Sequence, residues 1–169
     1  GTDAVMLSAE TAAGDFPVET VKAMANVCLG AEKHPSVLSS KHRMDVKFDD
    51  ASETVAMATM YAANHMTGIK AIVALTESGG MARLLSRITS GLPIYALSRH
   101  TSTLNRCALF RGVYPFAFDS TKVEENDARE ALNALMAEGK LEQGDLVLLT
   151  HGDKMETIGA TNTMKIMIV

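Results

Sequence analysis

The stretch AIVALTESGG, residues 71–80, decides the fold. Its first five residues form an uninterrupted apolar run of strand length, which is typical of a parallel strand in the interior of a sheet. The polar loop Thr76–Gly80 follows at once and leads into a helix predicted from about Met81 to Thr89. A strand, a short glycine loop and a helix make up part of a βαβ unit, so this stretch predicts a fold of the α/β class.

The alternation of helices and strands continues on both sides of this stretch. Upstream, a helix rich in Ala and Met is predicted from about Ser52 to Met66. Because crossovers between parallel strands are right-handed, we expect a doubly wound, mostly parallel five-stranded sheet in the order 3-2-1-4, with the last strand antiparallel at the edge. The predicted downstream elements are strand Pro93–Leu97, helix Thr103–Leu109, strand Val113–Phe118, helix Glu124–Glu138, strand Leu146–Leu149 and strand Thr163–Val169.

The first part of the chain reads as a single βα unit. Ala4–Leu7 is predicted to be a short buried parallel strand, and the polar residues Ser8–Asp15 a turn. A helix is expected to follow and to run to about Lys33, with Asp15 as its N-cap and Pro17 in its first turn. One strand and one helix cannot close a core by themselves.

A linker is predicted between this unit and the rest. Residues 35–50 mix Pro, Ser and charged residues without a sustained period. We therefore expect a βα unit over residues 1–34, a linker over 35–50 and a domain over 51–169. The abrupt start on an apolar run is expected of a piece of a longer protein.

Composition and charge exclude several classes of function. Lys and Arg number 16 against 20 Asp and Glu, and the basic residues form no patch that would follow a phosphate backbone, so no nucleic-acid partner is expected. No apolar run approaches the length of a membrane span, so no membrane association is expected either. Cys28 and Cys107 form no CxxC pair, which favours reduced thiols and a cytoplasmic protein. The five histidines show no metal-ligand spacing.

Polar loops follow two strands that the predicted order makes neighbours. Ligands of open α/β sheets bind beyond the carboxyl ends of the strands where the strand order reverses, here between the strands ending at Leu75 and Leu149. The first loop precedes a helix N-terminus, whose free amides and dipole favour an anion. Its candidate phosphate-binding residues are Thr76, Ser78, Gly79 and Gly80. The second loop, residues 150–162, contains Lys154, Thr157 and Gly159.

Two other interpretations of these loops stay open. In the first, Ser78 merely caps the helix, the glycines serve a tight turn and the second loop is a surface excursion. In the second, the loops bind a dinucleotide, and Arg99 at the end of the next strand meets the 2′-phosphate of NADP in an oxidoreductase. The first loop lacks the G-x-G-x-x-G pattern that such a site requires.

Two sets of motifs resemble the pyruvate kinase family. GTDAVMLSAETAAGDFP, Gly1–Pro17, is similar to the last strand and following loop of that family's catalytic barrel, whose pattern is M-L-S-[GA]-E-T-A-x-G-x-[YF]-P. The resemblance covers the whole chain, and it implies a regulatory C-terminal domain preceded by one βα unit of a TIM barrel. The motifs that recur in order in the family's C-terminal domain are TESG at 76–79, LPI at 92–94, RGV at 111–113, GDL at 144–146 and GATNT at 159–163.

The resemblance implies an activity and its cofactors. Pyruvate kinases act in glycolysis, where they transfer a phosphoryl group between phosphoenolpyruvate and ADP with Mg²⁺ and usually K⁺, and their metal ligands lie upstream of the segment matching Gly1. Ser8 and Glu10 would lie at the edge of the active site, and Ala13 stands where many members have a lysine on the nucleotide side. The chain alone is therefore expected to be inactive and to bind no metal cofactor.

The resemblance also implies an effector. In regulated members a phosphorylated activator lies between the two loops. Thr76, Ser78, Gly79 and Gly80 would hold its phosphate. Lys154, Thr157 and Gly159 belong to the loop that closes over it. Met81 stands where the family often has Ser or Thr, and residues 119–123 form a shorter stretch than in fructose-bisphosphate-regulated members. The sequence is in this respect similar to the bacterial class activated by AMP or sugar monophosphates.

An assembly is implied as well. In the family the strand matching Thr163–Val169 meets its copy across a twofold axis within a tetramer, so a homo-oligomer formed through this edge strand is expected. A free-standing module that senses a phosphorylated metabolite is the second interpretation of the chain. The βα unit at the start argues against it, because a sensor has no use for one piece of a barrel.

Overall fold

The computed structural model describes residues 2–38, 46–122, 127–153 and 158–169. From residue 51 to residue 152 helices and strands alternate, as predicted, a further strand follows at Thr161–Ile168, and a 3-10 turn at Ser120–Lys122 is added. The elements are α1 Ala9–Ala13, α2 Pro17–Glu32, α3 Pro35–Leu38, α4 Ala51–His65, β1 Ile69–Leu75, α5 Gly80–Arg87, β2 Ile94–Ser98, α6 Thr101–Cys107, β3 Val113–Ala117, α7 Asp127–Ala137, β4 Leu146–Gly152 and β5 Thr161–Ile168.

The five strands form one mixed sheet in the order β3-β2-β1-β4-β5. β1 pairs in parallel with β2 and β4, and β2 with β3, whereas β5 is antiparallel to β4. The predicted fold class and strand order are therefore confirmed. The order reverses at β1, so the carboxyl ends of β1 and β4 lie side by side.

Each face of the sheet is covered by its own hydrophobic core. Ile72 of β1 and Leu148 of β4 point to the face on which α4 and α5 pack, and their neighbours Val73 and Leu149 point to the face covered by α7. All four side chains are fully buried. Six of the seven residues of β1 are buried, which explains why this strand has an almost continuous apolar sequence.

The two edges of the sheet differ in their chemistry. β3 carries Pro115, which has no backbone N–H to offer to a further strand. β5 contains no proline, its one charged side chain is Lys165, and two of its large apolar side chains, Ile166 and Ile168, are 49% and 61% exposed. The β5 edge is the one that remains competent for pairing.

The start of the chain differs from the prediction. Ala4–Leu7 is not a strand, and the side chains of Val5 and Met6 are 55% and 81% exposed. An apolar run becomes a buried strand only where other strands flank it. Within the described ranges, no strand pairs with the segment Ala4–Leu7. The turn predicted at Ser8–Asp15 contains a short helix instead, α1.

Two further expectations need correction. Asp15 is not the N-cap of α2: the helix begins at Pro17 with Phe16 in the cap position, and no side chain caps it. The stretch predicted to be a linker begins with a helical turn, α3. Residues 39–45 of that stretch, and residues 123–126 at the predicted start of α7, lie outside the described residues. The domain division at 34 and 50 stays a prediction.

Candidate functional site

A cavity of about 240 Å³ lies where the carboxyl ends of β1 and β4 meet. Its lining residues come from the loop after β1, the first turns of α4 and α5, and the segment that leads into β5. The lining residues are Asp50, Ser52, Glu53, Leu75, Thr76, Glu77, Ser78, Gly80, Met81, Arg83, Leu84, Gly152, Ile158, Gly159 and Thr161. Of the predicted effector residues, the structure thus brings Thr76, Ser78, Gly80 and Gly159 together.

The loop after β1 is a tight turn that depends on glycine. The N–H of Gly79 donates to Oγ1 of Thr76 at 3.0 Å, and Gly79 has a φ of +79°. A Cβ at this position would lie 2.9 Å from Sγ of Cys107, so both the backbone angle and the space beside it require glycine. The N–H of Gly80 has a longer bond, 3.4 Å, to Oγ of Ser78.

The N-terminus of α5 faces this loop without a side-chain cap. Gly79 occupies the N-cap position and cannot supply a capping group. The amides of a first helical turn have no intrahelical acceptor, and the helix dipole adds partial positive charge there. The loop and α5 therefore have the features of an anion site, with Gly79 rather than Ser78 in the N-cap position.

The outer side of the loop is fixed to the β2–α6 connection. Oε2 of Glu77 lies 2.5 Å from Nε2 of His100 and 3.4 Å from Nη2 of Arg99. Oγ1 of Thr103 donates to the carbonyl of Glu77 at 2.7 Å, and Nη1 of Arg106 donates to the carbonyl of Ser78 at 3.3 Å. Two contacts of the Glu77 side chain and two of the loop's backbone carbonyls thus anchor the loop to the β2–α6 connection.

The second loop approaches the cavity through Gly152 and Gly159. A Cβ on Gly152 would lie 2.5 Å from the carbonyl oxygen of Ala160, so glycine lets the two backbones pass closely. The hydroxyl of Ser52, in α4, donates to the carbonyls of Gly159 and Thr161 at 3.3 and 3.4 Å. The predicted effector residues Lys154 and Thr157 lie outside the described residues.

Among the residues that the structure describes, four with charged side chains line the cavity: Asp50, Glu53, Glu77 and Arg83. Oδ1 of Asp50 accepts the N–H groups of Ser52 and Glu53 at 2.6 and 3.2 Å and so caps α4. Glu77 has its histidine and arginine partners. The carboxylate of Glu53 and the guanidinium of Arg83 make no hydrogen bond or ion pair with any other residue that the structure describes.

The cavity belongs to a domain with known relatives. Residues 53–167 match the family described as "Pyruvate kinase, alpha/beta domain". The chain belongs to the pyruvate kinase family. Over all 169 residues it is 60% identical to pyruvate kinase II of Salmonella typhimurium and 56% identical to the pyruvate kinase of Haemophilus influenzae. Over 99% of the chain it is 36% identical to the pyruvate kinase of Candida albicans.

The match has a defined extent. The chain spans about a third of the length of these pyruvate kinases, 35% of the two bacterial proteins and 34% of the third. The resemblance of the C-terminal motifs to the family is confirmed. An NADP-type oxidoreductase receives no support, and Arg99, which it would need for a 2′-phosphate, lies against Glu77.

Ser8 and Glu10, the two predicted active-site neighbours, do not line the cavity. Oε1 of Glu10 accepts the N–H of Phe16 at 2.8 Å, and the carbonyl of Ser8 accepts the hydroxyl of Thr11 at 3.2 Å. A Cβ on Gly14 would collide with the Glu10 carboxylate, so the glycine of the family's E-T-A-x-G pattern leaves room for this folded-back glutamate. Within the described part of the chain, the hydrogen bonds of both residues are to near neighbours in sequence.

Neither a metal site nor a membrane segment is found in the described ranges. No group of three or more His, Cys, Asp or Glu side chains in them could hold a metal ion. The residues that the structure describes therefore do not fit a site for Mg²⁺, and we assign no ligand of Mg²⁺ or K⁺ to them. None of their helices is both long enough and apolar enough to cross a membrane.

The sequence did not point to Asp50, Glu53 or Arg83 as lining residues. Asp50 and Glu53 precede the first loop by more than twenty positions and reach the cavity because α4 packs beside α5. Arg83 carries a weak signal. It lies three residues after Gly80 on the predicted helix, and residues at that spacing share one helix face.

Proposed function

We propose that this chain is the regulatory part of a pyruvate kinase and that the cavity binds a phosphorylated activator. The whole enzyme would transfer a phosphoryl group between phosphoenolpyruvate and ADP, with Mg²⁺ and K⁺ neutralising charge during the transfer. The observation that carries the proposal is the uncapped N-terminus of α5, held beside the Thr76–Gly80 loop at the reversal point of the sheet.

The activator is proposed to carry one phosphate group, as AMP and sugar monophosphates do. Within the described lining, one helix N-terminus lacks a cap and the other, that of α4, is capped by Asp50. Met81 adds an apolar surface rather than a hydroxyl. The proposed phosphate contacts are Thr76, Ser78, Gly79 and Gly80, with Lys154, Thr157 and Gly159 from the second loop.

A thermal-shift panel tests this proposal. AMP, ribose 5-phosphate, glucose 6-phosphate and fructose 1,6-bisphosphate would each be added to the chain. A ligand at 100 times its dissociation constant stabilises the folded state by about 2.7 kcal/mol. For a chain of this size that is a rise in Tm of about 5–10 °C. Unchanged Tm values with all four compounds at millimolar concentration would contradict the proposal.

We also propose that two chains pair through β5, within a tetramer in the whole enzyme. The support is the exposure of Ile166 and Ile168 on an edge strand whose one charged side chain is Lys165. A pair of antiparallel copies would cover these side chains and satisfy the outward N–H and C=O groups. Such a contact is isologous, because both chains use the same surface.

A cytoplasmic location is proposed together with the glycolytic role. Cys28 and Cys107 are both free thiols. Burial raises the pKa of the Cys107 thiol, which keeps it protonated and poorly reactive. Both observations fit a protein that works in a reducing compartment.

A further inference from the structure

Glu77 is an acidic residue in the lining of a cavity whose loop and helix N-terminus have the features of an anion site. Its side chain is only 11% exposed, so solvent and salt screen its charge little. A largely buried carboxylate beside a bound anion weakens binding, because like charges repel each other more strongly where the dielectric constant is low. The partners that neutralise Glu77 therefore affect how well the cavity receives an anion.

His100 is the nearer of the two side chains that contact the Glu77 carboxylate. Its Nε2 lies 2.5 Å from Oε2 of Glu77, whereas Nη2 of Arg99 lies 3.4 Å from the same oxygen. An ionised carboxylate only accepts hydrogen bonds, so Nε2 carries a proton and donates to it whether the ring is neutral or protonated. Protonation at the other ring nitrogen changes the charge instead. The Glu77–His100 pair carries one negative charge with a neutral ring and none with a protonated ring.

We propose that protonation of His100 controls the anion affinity of the cavity, so that the Glu77–His100 pair makes effector binding sensitive to pH. The inference rests on the proposed function, because it takes the cavity to receive the phosphate of an effector. It goes further by assigning a regulatory role to a residue on the outer side of the loop. Histidine changes its charge between about pH 5 and pH 8, and the side chain of His100 is 45% exposed, so it can exchange protons with solvent.

The charged groups around His100 come from four neighbouring parts of the fold. Glu77, in the loop after β1, favours the protonated ring, and Arg99, just after β2, opposes it with its Nε 3.4 Å from Nε2. Arg106, on α6, donates to the backbone of the same loop and adds a second positive charge. Asp119 follows β3, whose end pairs with the end of β2, and adds a negative charge. A bound anion is a further negative charge and shifts this balance towards the protonated ring.

The direction and size of the effect follow from linkage. If a bound anion favours the protonated form of His100, protonation favours anion binding by the same factor. The affinity is therefore expected to rise as the pH falls through the range in which histidine titrates, and to level off below it. Couplings between two sites are typically about 5–150-fold, and because His100 is exposed we expect about fivefold, at the low end of that range.

NMR titrations of the chain with sulfate test the proposal. Sulfate replaces the phosphate group as the probe because its charge is constant between about pH 5.5 and pH 8, whereas a phosphate monoester itself titrates near pH 6. The amide resonances of Gly79 and Gly80 report binding, and the ring resonances of His100 report its protonation. Sulfate should bind about fivefold more tightly at the lower pH, and saturating sulfate should move the midpoint of the His100 titration upwards by about 0.7 pH unit, the same factor seen from the other site.

Three substitutions separate the charge of the pair from its hydrogen bond. His100→Gln keeps an N–H donor but cannot gain a charge, so its sulfate affinity should be low at both pH values. His100→Lys stays charged over the whole range and should bind sulfate tightly at both. Glu77→Gln removes the negative charge, so its affinity should be high and independent of pH. His34→Gln, the control, removes an exposed histidine that does not line the cavity and should keep the fivefold change.

Failure of the inference can be told from failure of the proposed function. Circular dichroism melts verify the fold of each variant, and His100 makes no side-chain cap bond to α6 that its substitution would remove. If neither sulfate nor AMP shifts the loop amides of the unmodified chain at any pH, the anion site itself is wrong and the inference falls with it. If sulfate binds equally well at both pH values, or if His100→Gln or Glu77→Gln keeps the change with pH, the switch is wrong while the anion site stands.

Discussion

Oδ2 of Asp3 lies 2.5 Å from Nη1 of Arg87, although 84 positions separate the two residues in the chain. The other carboxylate oxygen of Asp3 accepts the N–H of Arg111 at 3.0 Å. The segment that leads into α1 is thus fastened to the end of α5, the helix whose first turn borders the cavity. The hydrogen bond from Arg111, followed by the bond and charge of Arg87, lowers the pKa of Asp3 below its usual 3.8.

Asp3→Asn is expected to lower the free energy of unfolding by up to about 1 kcal/mol at neutral pH, because the pair is partly exposed and screened by solvent. A carboxyl whose pKa is lower in the folded state stabilises the fold above its unfolded pKa and loses that effect as the pH falls through the folded pKa. Urea titrations should therefore show the variant and the parent chain converging between about pH 5 and pH 3. Asp15→Asn is the control, and a difference that persists unchanged at the low end of this range would rule out the carboxylate as its source.

Gly79→Ala is expected to destabilise the fold more than Gly139→Ala. Both glycines have positive φ, +79° and +65°, which costs alanine about 1–2 kcal/mol. At Gly139 a Cβ meets nothing within 4 Å, whereas at Gly79 it meets Sγ of Cys107 at 2.9 Å. The additional crowding should cost about 1–3 kcal/mol. Equal denaturation midpoints for the two variants would show that the Cys107 side chain moves aside without lowering the stability of the fold.

Ile166→Pro is expected to convert paired chains into monomers. Proline either removes a ladder donor or distorts the edge strand, and Ile166 lies opposite Leu148 in the middle of the β4–β5 ladder. Tyr114→Lys is the control, since Tyr114 has a similar exposure, 56%, on the opposite edge of the sheet. Sedimentation velocity distinguishes the species. The unmodified chain remaining monomeric at high micromolar concentration would end the pairing proposal.

The chain is expected to show no pyruvate kinase activity by itself. Phosphoryl transfer relies on metal ions that position the phosphates and neutralise their charge. In the part of the chain that the structure describes, no acidic or histidine cluster could hold such an ion. A lactate dehydrogenase-coupled assay with phosphoenolpyruvate, ADP, Mg²⁺ and K⁺ measures this directly. Mg²⁺-dependent turnover above a heat-treated control would refute the expectation.

The sheet was predictable because the sequence patterns of its strands and loops are local and recur along the chain. Strands such as Ala71–Leu75 are apolar throughout and are followed by polar loops, and the handedness of the crossovers then leaves few possible orders. The helix predicted at Ser52–Met66 runs from Ala51 to His65. Ala4–Leu7 shows the limit of the method. Its sequence is as apolar as that of an inner strand, but a strand also requires neighbours to pair with.

The positions of the site residues were predictable only where they follow from the order of the strands in the sheet. The position of the Thr76–Gly80 loop and its proximity to Gly159 follow from the strand order, because β1 and β4 are neighbours. Glu53 and Arg83 could not be found in this way. Their approach depends on how α4 packs against α5, which side-chain packing decides and no local pattern in the sequence encodes.

Pro115 limits how far this sheet can grow. If β5 joins its copy, the two five-stranded sheets become a single ten-stranded sheet whose outer edges are both β3. Each of those edges carries a proline that cannot donate a hydrogen bond to an incoming strand. Growth beyond two copies is therefore opposed at β3, and pairing through β5 favours a closed pair over an open-ended fibre.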